Sequence, residues 1–167
     1  ATPYADSSAA GTKNHKNFTD MKKILFVCHG NICRSPMAEF IMKDIAAKAG
    51  RAHEFHIESA AASDEEIGNP VYPPARRVLA KHGIDCAGKR ARKITPADFE
   101  KFDLVVAMDN SNLRNIGRIC AGGSAKLLME YAGVAGGEVD DPWYTGDFDK
   151  AYSDISAGCR GLFESLS

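Results

Sequence analysis

Apolar residues along this chain form two kinds of pattern, short runs typical of strands and longer stretches with helical spacing. Residues 24–27 and 104–108 are uninterrupted apolar runs, which predict strands buried on both faces of a sheet. Residues 55–60 alternate between apolar and polar side chains, and residues 125–129 form another short, mostly apolar segment. We expect all four segments to be strands.

Helical spacing predicts helices between and after these strands. Apolar stripes predict helices over 36–49, 75–82 and 111–119, and a capped helix start is expected at 95–98. The last helix has the clearest pattern, because its apolar residues recur about every 3.6 positions: Phe148, Tyr152, Ile155, Cys159, Leu162 and Leu166. Cys159 is therefore expected to be a core residue.

The alternation of strands and helices predicts an α/β fold. Such chains form an open parallel sheet with helices on both faces, here a four-stranded sheet in a single domain. Ligands of these sheets bind at the carboxyl ends of the strands. Cys28, Ser59 and Asp109 fall at three such ends, so we expect them to share one crevice.

Composition excludes several classes of partner. The chain has 167 residues and a net charge of −1, which gives no bulk electrostatic attraction to nucleic acid or to an anionic membrane. No apolar stretch reaches the length of a membrane span. The five cysteines are an odd number without disulfide-framework spacing, and neither they nor the five histidines have metal-ligand spacing. We expect a cytoplasmic protein that needs no metal or other cofactor.

The loop after the first predicted strand carries the most informative chemistry. Residues 28–35 read CHGNICRS, and the backbone N–H groups of such a loop, with those of the following helix, can cradle an anion. We predict that Ser35 caps this helix and that Pro36 is its first residue. The guanidinium of Arg34 can bind two phosphate oxygens. This positive site favours the thiolate form of Cys28, a nucleophile for phosphoryl transfer.

A second segment offers the proton that such a reaction requires. The alkoxide or phenolate of a phosphate ester leaves poorly unless a general acid protonates it. Asp140 and Asp141 precede Pro142, and either carboxyl group could carry that proton. Trp143 and Tyr144 follow directly, and their rings can form the walls of a pocket for an aryl ester.

These motifs resemble the low-molecular-weight protein tyrosine phosphatases, from Met21 to the end of the chain. Residues 27–36 read VCHGNICRSP and match the family's V-C-x-G-N-I-C-R-S-P; Asp141-Pro142 with two aromatics resembles the family's general-acid loop. The segments 59–61 and 107–113 resemble two further family motifs. The resemblance implies hydrolysis of phosphotyrosine in proteins through a phosphocysteine intermediate.

The resemblance also implies a role for each matching residue. Cys28 would be the nucleophile, Arg34 would bind the phosphoryl oxygens, and Asp141 would protonate the tyrosine oxygen and then activate water. Ser59 and Asp109 would support the loop. The rest of the phosphate-binding loop would be His29, Gly30, Asn31, Ile32, Cys33 and Ser35, and the substrate pocket would include Glu65, Trp143 and Tyr144.

Two of these residues carry further expectations. Cys33 would be a redox partner, because a nearby thiol can trap oxidised Cys28 as a reversible disulfide. His29 is expected at the rim of the pocket rather than as a catalytic base.

The sequence departs from the family pattern at two places. Lys89 stands where members commonly carry a histidine, which puts one support of the loop in question. Glu65 and Glu66 follow Ser63-Asp64, where many eukaryotic members have an aromatic residue. An acidic wall at this place would favour basic residues next to the phosphotyrosine and disfavour strongly acidic peptides.

Three other functions are compatible with a similar loop. Arsenate reductases use such a thiolate but need a relay of further cysteines, and Cys86, Cys120 and Cys159 form no evident pair. Protein arginine phosphatases tend to carry a threonine where this chain has Ile32, whose apolar side chain favours an aromatic ring. A non-catalytic phosphate-binding module would need neither a nucleophile nor a general acid.

Residues 1–20 differ from the rest of the chain, because they are rich in Ala, Ser, Asn and Lys and have no sustained apolar period. We expect them to be a flexible tail or an expression remnant, with the phosphatase domain at 21–167. Expected partners are phosphotyrosine-containing proteins and phosphate or other oxyanions. We expect the protein to be a monomer or a weak dimer.

Overall fold

Four parallel strands form the centre of the molecule, in the order β2-β1-β3-β4. The computed structural model describes residues 20–167. Its strands are β1 (Lys22–Cys28), β2 (Phe55–Ala61), β3 (Leu104–Ala107) and β4 (Lys126–Leu127). Because β1 is paired on both sides and covered on both faces, its residues 24–28 are all buried, which is why this segment is continuously apolar.

Helices cover both faces of the sheet. They are α1 (Arg34–Lys48), α2 (Pro73–Lys81), α3 (Asp98–Lys101), α4 (Asn110–Ile119), α5 (Pro142–Thr145) and α6 (Phe148–Ser165). Alternate residues of β1 enter two different cores: Ile24 and Phe26 pack with residues of α1, α2 and α6, whereas Leu25 and Val27 pack with residues of α3 and α4. The predicted fold class, an open four-stranded parallel sheet between two helical layers, is confirmed.

The fourth strand is shorter than predicted. Only two residues of the segment 125–129 pair with β3, and a 3₁₀ helix at Leu128–Ala132 follows directly. Leu128 and Met129 turn away from the sheet and are buried in the core that α6 covers. The close approach is possible because Gly158 of α6 faces Leu128: a Cβ there would lie 2.5 Å from Leu128 Cγ.

The start of α1 also differs from the prediction. The helix begins at Arg34 with Cys33 as its N-cap, so Ser35 is not the cap and Pro36 lies in the first turn but not at its first position. No side-chain hydrogen bond caps this helix. The Ser35 hydroxyl instead faces Cys28 and Asn31.

Two expectations concern other parts of the chain. The expectation for residues 1–20 lies outside the described residues, apart from Asp20. Of the helices within residues 20–167, none is long and apolar enough to cross a membrane.

Candidate active site

The loop between β1 and α1 lies at the carboxyl end of the central strand and forms the floor of a cavity of about 120 Å³. Asn31 has a φ of 58°, a left-handed conformation that an asparagine tolerates better than most residues. This conformation lets the loop curl around a central point before the helix begins. The cavity is lined by Cys28, His29, Gly30, Ile32, Cys33, Arg34, Glu65, Glu66, Asp141, Trp143 and Tyr144.

Cys28 ends β1 and faces this cavity. Its side chain is buried, and its Sγ lies 3.0 Å from the hydroxyl oxygen of Ser35. A hydroxyl at this distance can donate to a thiolate, and the first turn of α1 presents N–H groups to the same region. The structure thus places a hydroxyl and the start of a helix beside the sulfur.

Asn31 holds the loop in shape through three hydrogen bonds. Its Nδ2 donates to the hydroxyls of Ser35 at 2.8 Å and of Ser59 at 2.9 Å, and its Oδ1 accepts from the backbone N–H of Arg92 at 3.2 Å. Asn31 and both serines are fully or almost fully buried. Because buried polar groups are costly when unpaired, this network specifies one conformation of the loop.

A carboxylate and a lysine extend the network beneath the loop. The Ser59 hydroxyl donates to buried Glu39 at 2.6 Å, and Lys43 donates to the other oxygen of Glu39 at 2.6 Å. Lys89 donates to the backbone carbonyl of Ser59 at 2.9 Å and lies 3.4 Å from Glu39. Burial lowers the pKa of Lys89, and the charge of Glu39 partly offsets this. Lys89 therefore contacts the support of the loop even though it departs from the family's histidine.

Arg34 is held in place from the far side of the cavity. Its Nη1 donates to Asp109 at 2.7 Å and to the carbonyl oxygen of Val139 at 2.8 Å, and its Nη2 donates to Asp141 at 3.3 Å. Burial would lower the pKa of Arg34, but the negative charges of Cys28, Asp141 and Asp109 raise it above its ordinary value. A buried cation with fixed orientation can bind phosphate oxygens without reorganising.

Asp109 is placed by the end of β3 and the start of α4. It is the N-cap of α4: its Oδ1 accepts from the backbone N–H of Asn112 at 2.7 Å, and Asn112 Oδ1 accepts in return from the backbone N–H of Asp109 at 3.2 Å. The other oxygen, Oδ2, receives the hydrogen bond from Arg34. Of the three residues expected to share one crevice, Cys28 lines the cavity, whereas Asp109 contacts it through Arg34 and Ser59 is buried beneath the loop.

The structure distinguishes the two candidate acids. Asp141 lines the cavity, and its Oδ1 accepts from the backbone N–H of Trp143 at 3.1 Å as the N-cap of α5. Asp140 is exposed, does not line the cavity, and pairs with Lys150 at 3.3 Å. Their spacing along the chain could not show which of the two faces the cavity, because this depends on the direction of each side chain.

The lining of the cavity includes both aromatic and acidic side chains. Trp143 and Tyr144 are 52% and 85% exposed, which leaves their rings available to a ligand. His29 Nε2 lies 2.9 Å from Glu65, and both of these side chains line the cavity. Glu66 lies beside Glu65 and contributes to the same wall.

Cys33, the N-cap of α1, lines the cavity as a buried free thiol. Burial raises its pKa strongly, and the negative charges of Cys28 and Asp141 act in the same direction. Cys33 is therefore a neutral thiol in the same loop as Cys28.

The remaining cysteines lie apart from this site. Cys86 and Cys159 belong to the core under α1, α2 and α6, and Cys120 belongs to the core on the other face of the sheet. Cys159 is a fully buried core residue, as its place on the apolar stripe predicted. In the part of the chain that the structure describes, no group of three or more His, Cys, Asp and Glu side chains is arranged to hold a metal ion.

Sequence reasoning missed three contributors to the site. Glu39 could have been noticed in the sequence, because it is an acidic residue among the apolar residues Met37, Ala38 and Ile41 of a predicted helix. The structure shows that it is buried. The carbonyl of Val139 and the backbone N–H of Arg92 could not have been found in the sequence, because every residue except proline has the same main-chain groups.

Comparison with known proteins agrees with the geometry. The family model described as low molecular weight phosphotyrosine protein phosphatase matches residues 23–167. The chain belongs to this family. A family member of Schizosaccharomyces pombe is 45% identical over 152 residues, which cover 87% of this chain and 97% of that protein.

Solved structures of relatives share the fold. The crystal structure of YfkJ from Bacillus subtilis is similar with a TM-score of 0.83 and 37% identity, covering 87% of this chain and 94% of that one. YfkJ is named a low molecular weight protein-tyrosine-phosphatase. The crystal structure of DARP, a Drosophila arginine phosphatase, has a TM-score of 0.78 and 30% identity, covering 87% and 98% of the two chains.

Proposed function

We propose that this phosphatase family member hydrolyses phosphotyrosine in proteins, with Cys28 as nucleophile, Arg34 as phosphate-binding residue and Asp141 as general acid and base. The observation that carries the proposal is the convergence of all three side chains on one cavity, with Arg34 hydrogen-bonded to Asp141. Residues 21–167 would form the catalytic domain.

The first step would transfer the phosphoryl group to sulfur. The Cys28 thiolate attacks phosphorus, a P–S bond forms, and the P–O bond to the tyrosine breaks. The Asp141 carboxyl group protonates the departing phenolate oxygen. Arg34 and the N–H groups of the loop bind the equatorial oxygens, where negative charge accumulates in the transition state.

The second step would restore the enzyme. The Asp141 carboxylate accepts a proton from a water molecule, which attacks phosphorus as the P–S bond breaks. Inorganic phosphate and the Cys28 thiolate are the products. Ser35 assists this step, because its hydroxyl, 3.0 Å from the sulfur, stabilises the thiolate as it leaves.

The walls of the cavity support an aromatic substrate. Ile32 lies on the floor and Trp143 and Tyr144 stand at the rim, so a phenyl ring would contact apolar surface on several sides. Phosphoarginine is the second candidate substrate, since DARP, an arginine phosphatase, is a structural relative. The apolar Ile32 favours the phenyl ring.

The test is phosphate release, with EDTA and a reducing agent present, from phosphotyrosine, phosphoserine and phosphoarginine peptides of one sequence. We expect release from phosphotyrosine and its loss in Cys28→Ser. Cys120→Ala is the matched control, because this thiol is buried in the core on the other face of the sheet. Faster release from phosphoarginine would reassign the substrate while keeping the mechanism. Activity that persists in Cys28→Ser would refute the mechanism.

Two further roles are part of the proposal. Cys33 would form a reversible disulfide with oxidised Cys28, because a neutral thiol beside a reactive one can resolve a sulfenic acid. The protein would act in a reducing compartment such as the cytoplasm, since all five of its cysteines are free.

A further inference from the structure

A groove of about 470 Å³ begins at the rim of the catalytic cavity. Ile32, Glu66 and Trp143 line both spaces, so the groove continues directly from the cavity. Tyr72 and Pro73, at the start of α2, form its wall, and the ring of Tyr72 packs against that of Trp143 with their centroids 4.9 Å apart. A ligand that extends out of the cavity on this side meets a preformed, largely apolar surface.

The outer part of the groove is basic. Arg76 and Arg77 lie on the first turns of α2, line the groove and do not line the cavity. Both side chains are exposed. Within residues 20–167 neither of these two side chains makes a hydrogen bond or an ion pair. The outer part of the groove therefore presents two adjacent cations that no ion pair holds within the described residues.

The charge along this path therefore changes sign. Glu65 and Glu66 stand at the mouth of the cavity, and the two arginines stand beyond the apolar wall. The polypeptide of a protein substrate continues outside the cavity, so the residues next to the phosphotyrosine lie on the surface that adjoins the rim. Charge complementarity then favours an acidic side chain away from the phosphotyrosine and disfavours one directly beside it.

We propose that this groove binds the substrate segment next to the phosphotyrosine, and that Arg76 and Arg77 select substrates with an acidic residue separated from it by apolar residues. The inference rests on the proposed function and goes beyond it by naming the class of protein segment that the site prefers. The apolar residues of that segment pack on Ile32, Tyr72 and Pro73.

The test is a peptide series in which a single glutamate is moved stepwise away from the phosphotyrosine on each side, in an otherwise neutral apolar sequence. We expect kcat/KM to fall when the glutamate is adjacent and to rise about threefold to tenfold at one more distant position on one side. The change should be in KM, because the arginines do not touch the reacting atoms.

The decisive variant is Arg76→Glu with Arg77→Glu. It should remove the preference for the distant glutamate and create one for a lysine at the same position, while hydrolysis of p-nitrophenyl phosphate stays unchanged. Arg114→Glu with Arg118→Glu is the matched control, because these exposed arginines lie on α4, on the other face of the sheet, and change the net charge equally. Arg76→Ala with Arg77→Ala should remove the preference without reversing it.

The outcomes separate this inference from the proposed function. If the wild type hydrolyses p-nitrophenyl phosphate but the peptide series shows no preference, or the preference survives charge reversal, the groove proposal is wrong and the phosphatase proposal stands. If charge reversal instead changes the sedimentation of the protein, the groove is an interface between copies of the chain and the proposal is wrong. Failure to hydrolyse any aryl phosphate would refute the proposed function itself.

Discussion

Asp140 and Asp141 are neighbours in the sequence, yet only one of them faces the cavity. Asp141 lies 3.3 Å from Arg34, and Asp140 pairs with Lys150 on the surface. The pair offers an internal comparison, since the same substitution at adjacent positions removes a carboxylate inside or outside the site.

We predict that Asp141→Asn slows phosphoenzyme formation from phenyl phosphate about a hundredfold or more, because the phenolate then leaves unprotonated. The loss should be smaller for p-nitrophenyl phosphate, whose phenolate is a better leaving group. Rapid-mixing measurement of phenol release gives both rates. Asp140→Asn should retain nearly full activity, and an equal loss in the two variants would contradict the assignment.

At this scale the sequence predicted the positions of the proposed reactive groups better than the positions of the residues that support them. Cys28, Arg34 and Asp109 lie where strand ends and the loop motif predict. Glu39 and the contacts of Lys89 could not be placed, because they depend on how α1 packs over β2 and on where the loop around residue 89 returns.

At the scale of elements, Arg92 connects the loop after α2 to neighbouring elements of the fold. It pairs with Asp98 at the start of α3 and with Glu58 of β2, while its backbone N–H donates to Asn31. Burial would raise the pKa of Glu58, but hydrogen bonds from Lys101 and His56 and the charge of Arg92 lower it from 4.5 to about 2.

Glu58 should therefore stabilise the fold in a pH-dependent way. Because its folded pKa is lowered, the contribution is fully present above about pH 4.5 and is lost as the pH falls toward 2. We predict that Glu58→Gln lowers the free energy of unfolding at pH 7 by up to about 1 kcal/mol, since the site is partly exposed.

Urea denaturation at several pH values tests this prediction. The difference between wild type and Glu58→Gln should shrink as the pH falls below about 4. Glu100→Gln, an exposed acid of α3 without an ion pair in the described part of the chain, should show little difference at any pH. A difference that grew on acidification would contradict the argument.

The packing of α6 gives a second prediction at this scale. A methyl group on Gly161 would collide with the carbonyl oxygen of Tyr131, whereas one on Gly117 of α4 would meet no atom within 4 Å. Gly161→Ala should thus destabilise the protein by about 3 kcal/mol, and Gly117→Ala should stabilise it by about 0.5–1 kcal/mol through helix propensity. Thermal unfolding of both variants tests the pair, and equal signs would refute it.

This packing also explains where element prediction failed. The run at 125–129 has the composition of a strand, but its second half turns to pack beneath α6. The segment 24–27 was predictable because neighbouring strands and both faces demand apolar residues there. The conformation of the short edge segment depends instead on packing against a helix that begins some twenty residues later.

At the scale of the whole molecule, the site joins distant parts of the chain. The loop at 28–35, Asp109 and Asp141 meet around Arg34, across 107 residues of sequence separation. An anion bound there contacts only the folded state and should stabilise the whole domain.

We predict that phosphate at a hundred times its dissociation constant stabilises the protein by about 2.7 kcal/mol, a rise in Tm of roughly 5–10 °C for a domain of this size. Differential scanning calorimetry with phosphate against chloride at equal ionic strength gives the shift. Arg34→Ala should abolish it. A shift of equal size in that variant would place the anion elsewhere.

The carboxylate of Asp109 serves the helix and the site at once, since one oxygen caps α4 and the other holds Arg34. Residue 109 is therefore unsuitable for stabilising substitutions, because a replacement that changes the helix cap also changes the position of the Arg34 guanidinium. Improvement of this helix has to start from its opposite end, where Gly117 leaves room. A natural substitution at position 109 would disturb both the cap of α4 and the position of Arg34, whereas one at position 117 would disturb neither.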